Sequence, residues 1–316
     1  MEIPTFDDVV TAHERVTPYI HRTPVLTSSF LNDLTGAELF FKCENFQKAG
    51  AFKVRGASNA VFGLSEEDAR NGVCTHSSGN HALSLSYAAG RRGIPCNVVM
   101  PHTAPQAKKD AVLGYGGTIT ECEPSTSSRE AVFAEVQAKT GGDFVHPYND
   151  PRVIAGQGTC SRELMEQTNG LDAVVAPIGG GGMISGTCLT LSNTAPDTQV
   201  IAAEPEQADD AYRSFKAGYI IADDAPKTVA DGLKVPLKEL TWHFVSSHVT
   251  DILTASEDEI IEAMKLIWKR MKIVMEPSSA VPLATILKNK GRFAGKRVGI
   301  IITGGNVDLD ALPWTK

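Results

Sequence analysis

The stretch Asp172-Ala173-Val174-Val175-Ala176-Pro177-Ile178-Gly179-Gly180-Gly181-Gly182-Met183 decides the fold of this chain. An apolar run of strand length meets four glycines, and the pattern then turns helical to about Thr194. Glycines between a strand and a helix let several backbone N–H groups converge on one anion, and the helix N-terminus adds its dipole. A side chain at those positions would block the close approach of an oxyanion. The run fails the dinucleotide pattern G-x-G-x-x-G, because Met183, Ile184 and Ser185 fall where glycines are needed. No G-K-[ST] follows, so a nucleoside-triphosphate loop is excluded as well. A single phosphate monoester remains, against the plainer reading of a flexible glycine turn.

Outward from this stretch, strands and helices alternate. Residues 73–76, 96–100 and 118–122 read as strands, with helices over 80–92, 105–113 and 127–139. A helix over 154–168 precedes the glycine strand, and a strand over 199–203 follows it. The capping-box form Ser256-Glu257-Asp258-Glu259 opens another helix, and residues 297–302 read as a buried strand. This alternation predicts an α/β protein of mostly parallel twisted sheets flanked by helices. Residues 70–148 are expected to form a small domain, with 1–66 and 151–316 forming the large one.

Bulk properties narrow the function. The 316 residues suit two lobes, and 42% hydrophobic with 21% charged content is that of an ordinary globular protein. A formal charge of −7 without a basic stripe argues against nucleic acid as a partner. No apolar run approaches the ~20 residues of a membrane helix, and the start lacks a signal-peptide pattern, so a cytoplasmic protein is expected. Six scattered cysteines without a C-x-x-C pair read as reduced core thiols.

Four local features carry chemistry. Gly50-Ala51-Phe52-Lys53-Val54-Arg55-Gly56 places a lysine between the strand pattern at 38–43 and the helical repeat Ala57, Ala60, Val61, Leu64. Burial beside Phe52 and the like charge of Arg55 would both disfavour the ammonium, and a neutral amine forms a Schiff base with a carbonyl cofactor. Read by itself, Lys53 also fits a lysine that snorkels at a helix start. His76-Ser77-Ser78-Gly79-Asn80-His81 leads from a strand into a helix, and suits a carboxylate or simple N-capping. Thr303 ends the strand at 297–302 with a neutral hydroxyl. Glu204 and the Ala208-Asp209-Asp210 run offer oxygen ligands for a hard cation, or helix caps.

Together with Val153-Ile154-Ala155-Gly156-Gln157-Gly158-Thr159, Ala230-Asp231-Gly232 and Glu276-Pro277-Ser278, these motifs resemble the fold type II pyridoxal phosphate enzymes. The likeness is to the serine racemase and serine/threonine dehydratase branch, including 3-hydroxyaspartate dehydratases, and it covers nearly the whole chain. It implies a two-domain fold like the tryptophan synthase β subunit, with Lys53 holding pyridoxal 5′-phosphate and Phe52 packed beside it. It implies phosphate binding by Gly179, Gly180, Gly181, Gly182 and Met183, Asn80 at the ring's 3′-oxygen and Thr303 at the pyridine nitrogen. Gly232 and Glu276 complete the cofactor set. Ser77, Ser78, Asn80 and His81 would surround the substrate carboxylate, and Arg129 matches a position near the substrate. Glu204, the Ala208 carbonyl and Asp210 would hold Mg²⁺, or Mn²⁺ or Ca²⁺. Ser78 matches the second acid–base residue of racemases. A homodimer is implied, and for ATP at its interface only Lys48 carries over.

Two departures bear on the substrate. Ala51 stands where the family has serine before Phe-Lys, as in members of the 3-hydroxyaspartate type, and Thr303 replaces a serine while keeping the hydroxyl. The chain ends soon after Asp308, so isoleucine control is not expected. The resulting expectation is a lyase that dehydrates a β-hydroxy-α-amino acid, 3-hydroxyaspartate before serine or threonine. Alternatives are a serine racemase with side dehydratase activity and a non-catalytic amino-acid-binding protein.

Overall fold

The computed structural model describes residues 2–223 and 226–315. Its strands are β1 (Val25–Leu26), β2 (Glu38–Cys43), β3 (Val73–His76), β4 (Cys96–Pro101), β5 (Thr118–Cys122), β6 (Asp143–Phe144), β7 (Ala173–Pro177), β8 (Gln199–Pro205), β9 (Asp251–Ala255) and β10 (Arg297–Ile302). The helices up to the glycine loop are α1 (Phe6–Val16), α2 (Ser29–Thr35), α3 (Lys53–Phe62), α4 (Glu66–Ala69), α5 (Asn80–Arg92), α6 (Gln106–Gly114), α7 (Thr126–Thr140) and α8 (Pro151–Gln167). After it come α9 (Gly182–Thr194), α10 (Asp210–Ala217), α11 (Glu239–His248), α12 (Glu257–Met271), α13 (Pro277–Lys288) and α14 (Lys290–Phe293).

The strands form two sheets, as parallel βαβ units require. The larger has the order β1-β2-β10-β7-β8-β9, parallel except for β1 against β2. The smaller, β5-β4-β3-β6, is parallel throughout. Side chains alternate between faces along each strand. Ala173, Val175, Ile201, Ala203, Ile300 and Ile302 therefore meet α13 on one face of the large sheet. Val174, Ala176, Val200, Ala202 and Ile301 meet α8 and α9 on the other. The small sheet buries Val73, Val98 and Met100 under α3 and α5, and Cys74 and Val99 under Phe133 of α7.

The helix that begins at Lys53 lies on the seam, since α3 packs against both α5 and α8. It crosses α8 at backbone contact: a Cβ on Gly156 would come within 2.6 Å of the Gly56 Cα, so glycine is required there. A buried ion cluster anchors the same helix. Arg55 reaches Glu44 at 2.7 Å and Glu163 at 2.8 Å, and Lys42 reaches Glu163 at 2.6 Å. Arg55 points away from Lys53 into this cluster, which corrects the expectation that its like charge lowers the lysine's pKa. The carboxylates hold Arg55 well above its ordinary value despite burial.

The six cysteines are free and buried. Burial pushes the Cys43 and Cys74 thiols up to about 12, which leaves them protonated and unreactive at neutral pH. Among the described residues no helix is long and apolar enough to cross a membrane.

Candidate active site

Lys53 is the first residue of α3, one step further into the helix than the expected connection. The segment before it is tied to the end of β10. Phe52 donates its N–H to the Thr303 carbonyl at 2.9 Å, and Ala51 bridges Gly304. Gly50 lies at φ 70, and a Cβ there would fall 2.4 Å from Asn306 Oδ1, so only glycine fits. The Lys53 ammonium lies 5.1 Å from the Phe52 ring centroid and donates to the Pro147 carbonyl at 2.7 Å. Burial lowers its pKa to about 8, and the charge of Glu276 opposes that shift.

A cavity of about 640 Å³ opens above Lys53. Phe52, Lys53, Ser77, Ser78, Asn80, His81, Arg129, Gly179 to Met183, Gly232, Glu276 and Thr303 all line it. The small-sheet loops and the large-sheet strand ends thus face each other across one space, where open α/β sheets bind ligands.

The glycine loop forms one wall. Among the described residues no hydrogen-bond acceptor occupies the amides of Gly179 through Met183. The loop is buried, so these unpaired donors call for an anion. The glycines are demanded from behind as well as in front. A Cβ would strike Leu233 from Gly179, the Tyr148 ring from Gly180, and Leu237 and Thr241 from Gly181, which also sits at φ +86. The expected reason, room for an oxyanion, is therefore joined by packing against the protein.

A second run of backbone donors without a capping side chain lies at the start of α5. Gly79 is its N-cap and brings no capping side chain, so neither Ser78 nor Asn80 plays that part. The first-turn amides remain free for a ligand carboxylate. Ser77 Oγ accepts the Gly79 N–H at 3.3 Å, and the Ser78 hydroxyl has no partner among the described residues. Asn80 Nδ2 donates to both Glu276 oxygens, at 3.0 and 3.1 Å, while its Oδ1 accepts from Asn306 at 2.9 Å. Burial pushes the Glu276 carboxyl up to about 7, with the charge of Asp231 adding to the shift. Thr303 lies 3.0 Å from Ser279 Oγ, a pairing of neutral hydroxyls. His81 is bonded through Nε2 to the Val145 carbonyl at 2.9 Å, and burial takes its pKa down to about 3, so it is neutral. Arg129 Nε is buried without a partner.

Glu204, Ala208 and Asp210 lie outside this lining. Glu204 accepts the Ala211 and Tyr212 amides at 2.9 and 2.7 Å, as a cap on α10. Burial raises its pKa and takes that of Asp210 to about 7, and Asp210 Oδ2 is buried without a partner. Two buried carboxyls with an orphaned oxygen fit a hard cation. Among the cavity residues that the sequence reading gave no role are His146 and Tyr148, which follow β6. Their signal is weak, because the two-residue β6 shows no periodicity to mark the loop behind it.

Unpaired glycine amides, a lysine of lowered pKa and neutral hydroxyls at a strand end fit a phosphorylated pyridine aldehyde. A family model described as pyridoxal-phosphate dependent enzyme matches residues 16–304. The beta-hydroxyaspartate dehydratase of Paracoccus denitrificans (strain Pd 1222) is 78% identical, over 99% of this chain and 100% of that one. The serine racemase of Dictyostelium discoideum superposes with a TM-score of 0.93 at 50% identity, covering 97% of this chain and 99% of that chain. Maize serine racemase superposes at 0.96 with 44% identity, covering 98% and 95%. On this likeness and on the site that carries it, the chain belongs to the pyridoxal-phosphate-dependent enzymes of fold type II.

Proposed function

We propose that this lyase dehydrates 3-hydroxyaspartate, with serine and threonine as poorer substrates, and releases an oxo acid and ammonia. One observation carries the choice of substrate. The cavity has an anion site at the α5 N-terminus and, apart from it, a buried Arg129 Nε with no partner. An amino acid with two carboxylates satisfies both, whereas serine leaves the arginine unpaired.

When bound, pyridoxal phosphate supplies the electron sink for the carbanion formed at Cα. Gly179 to Met183 would hold its phosphate, Lys53 its aldehyde carbon, Asn80 its 3′-oxygen and Thr303 its ring nitrogen, with Phe52, Gly232 and Glu276 around them. A hydroxyl opposite the ring nitrogen does not enforce ring protonation as a carboxylate would, which favours elimination over transamination. Lys53, neutral above about pH 8, takes the α-proton. Ser77, Ser78, Asn80 and His81 orient the α-carboxylate. Loss of the β-hydroxyl as water leaves an enamine, which becomes an imine and hydrolyses.

A racemase reading is favoured by one feature, the Ser78 hydroxyl that no described residue engages. The deciding experiment scores the holoenzyme on hydroxyaspartate isomers, serine and threonine for ammonia, oxo acid and epimer, with and without Mg²⁺. Hydroxyaspartate should give the highest kcat/KM for ammonia release, and Arg129→Met should lower that value about 100-fold while sparing serine. Faster epimer formation from serine would overturn the order of substrates.

The rest of the reading has its own supports. Glu204, the Ala208 carbonyl and Asp210 would hold Mg²⁺ or a similar ion, because Asp210 Oδ2 is buried without a partner beside the raised Glu204 carboxyl. Residues 70–148 would close over the substrate, because the cavity takes walls from both sheets. Phe46 and Val274, 43% and 46% exposed, support a homodimer, and Lys48 beside them would serve ATP there. The six reduced thiols suit the cytoplasm.

A further inference from the structure

Tyr148 takes no part in the roles assigned so far, yet the structure fixes both its backbone and its ring. His146 Nδ1 accepts the amides of Tyr148 and Asn149, at 3.2 and 2.9 Å, which fixes the backbone in a tight loop. The His146 ring meets the Tyr148 ring edge-on, centroids 4.6 Å apart. The other side of the ring is closed by the glycine loop, where a Cβ on Gly180 would sit 2.6 Å from its carbons. The ring is 8% exposed and lines the cavity. Its hydroxyl has no hydrogen bond to a described residue, so on this cavity wall it is open to a ligand.

The neighbours say what would complete it. Burial pushes the phenol up to about 12, so it is an O–H donor at neutral pH; the charge of Arg129 opposes that shift and that of Asp210 adds to it. Arg129 Nε is a buried donor on the same cavity that has no partner among the described residues. Two unpaired donors within electrostatic reach of each other, one cationic and one neutral, match a carboxylate that accepts from both.

We propose that Tyr148 is a specificity-determining residue whose hydroxyl, on the same cavity as Arg129, donates to the distal carboxylate of a dicarboxylic amino acid. The inference rests on the hydroxyaspartate reading above and deepens it. Serine offers nothing to this phenol, so the residue rewards the longer substrate and penalises the shorter one.

The test is Tyr148→Phe, which removes one oxygen and keeps the ring against Gly180 and Gly182. In the holoenzyme, kcat/KM for hydroxyaspartate should fall about 10- to 100-fold, mostly through KM, while serine turnover stays within about twofold. Calorimetric binding of succinate should weaken by a similar factor, and that of acetate should not. The visible absorbance of the bound cofactor should be unchanged, because the glycine loop is still packed. Equal losses on both substrates, or an unaltered succinate affinity, would overturn the assignment. If the unmodified enzyme shows no preference for hydroxyaspartate, both readings fall. If it does and the variant keeps that preference, this inference alone fails.

Discussion

At Lys53 burial and charge act in opposite directions. Removal from water disfavours the ammonium, and the nearby Glu276 carboxyl favours it; burial wins and sets the pKa at about 8. The sequence suggested a lowered lysine for two reasons, and the structure keeps the first and replaces the second. Phe52 lies against the amine as its position implied. Arg55, two residues on, has turned through the helix into partners 11 and 108 residues away, which local reading cannot reach. The prediction concerns cofactor uptake by the apoprotein. Only the neutral amine attacks the aldehyde, so the rate should rise with pH through about 8 and level off above it. The rise of visible absorbance after mixing measures that rate. The sign for stability follows from the same value: the unfolded chain binds more protons between about 8 and 10.5, so this group makes the apoprotein more stable as pH rises across that window. A rate independent of pH between 6.5 and 9 would contradict a lowered lysine.

Among the elements, α3 is placed by two devices, one legible beforehand and one not. Glycines at 56 and 156 stood in the sequence within recognised motifs, but their contact across two helices is a product of the fold. The ion cluster of Arg55, Lys42, Glu44 and Glu163 joins β2, α3 and α8, and its members are too far apart in the sequence to be read as a group. Strands of four or more residues were legible almost to the residue, as β2, β3, β5 and β10 show. The two-residue strands β1 and β6 lacked enough length for a period, and α13 carries Pro282 inside a helix, which sequence rules penalise. The cluster yields the prediction at this scale. Glu163→Gln leaves Arg55 and Lys42 facing the single carboxylate of Glu44 inside the protein, which costs about 3–5 kcal/mol. Thermal unfolding should move down by several degrees, and α3 amides should lose exchange protection ahead of β9. A variant as stable as the parent would mean that water reaches the cluster.

Over the whole molecule, the site is the space between two sheets, and one ion pair spans it. Lys108 belongs to α6 on the small sheet, while Asp231 sits beside Gly232 on the large one, and they meet at 3.0 Å. The turn that carries Asp231 backs the glycine loop, since Leu233 packs where Gly179 would place a Cβ. The Gly232 N–H is in turn held by Ser278 Oγ at 3.1 Å. The pair therefore joins the small-sheet side of the cavity to the turn behind the glycine loop. With side chains 27% and 51% exposed it is screened by water, and such pairs are worth about 0.2–1 kcal/mol. That is too little to alter overall unfolding much, but it is enough to shift an open–closed equilibrium about two- to fivefold. Lys108→Gln should accordingly leave the unfolding temperature nearly unchanged, raise KM two- to fivefold and speed amide exchange in β4 and β5 but not in β7 or β10. Added salt should raise KM in the parent enzyme and have less effect in the variant, because the screened interaction is already gone. If exchange rises equally in both sheets, the pair supports the fold generally and the two lobes do not close as separate bodies.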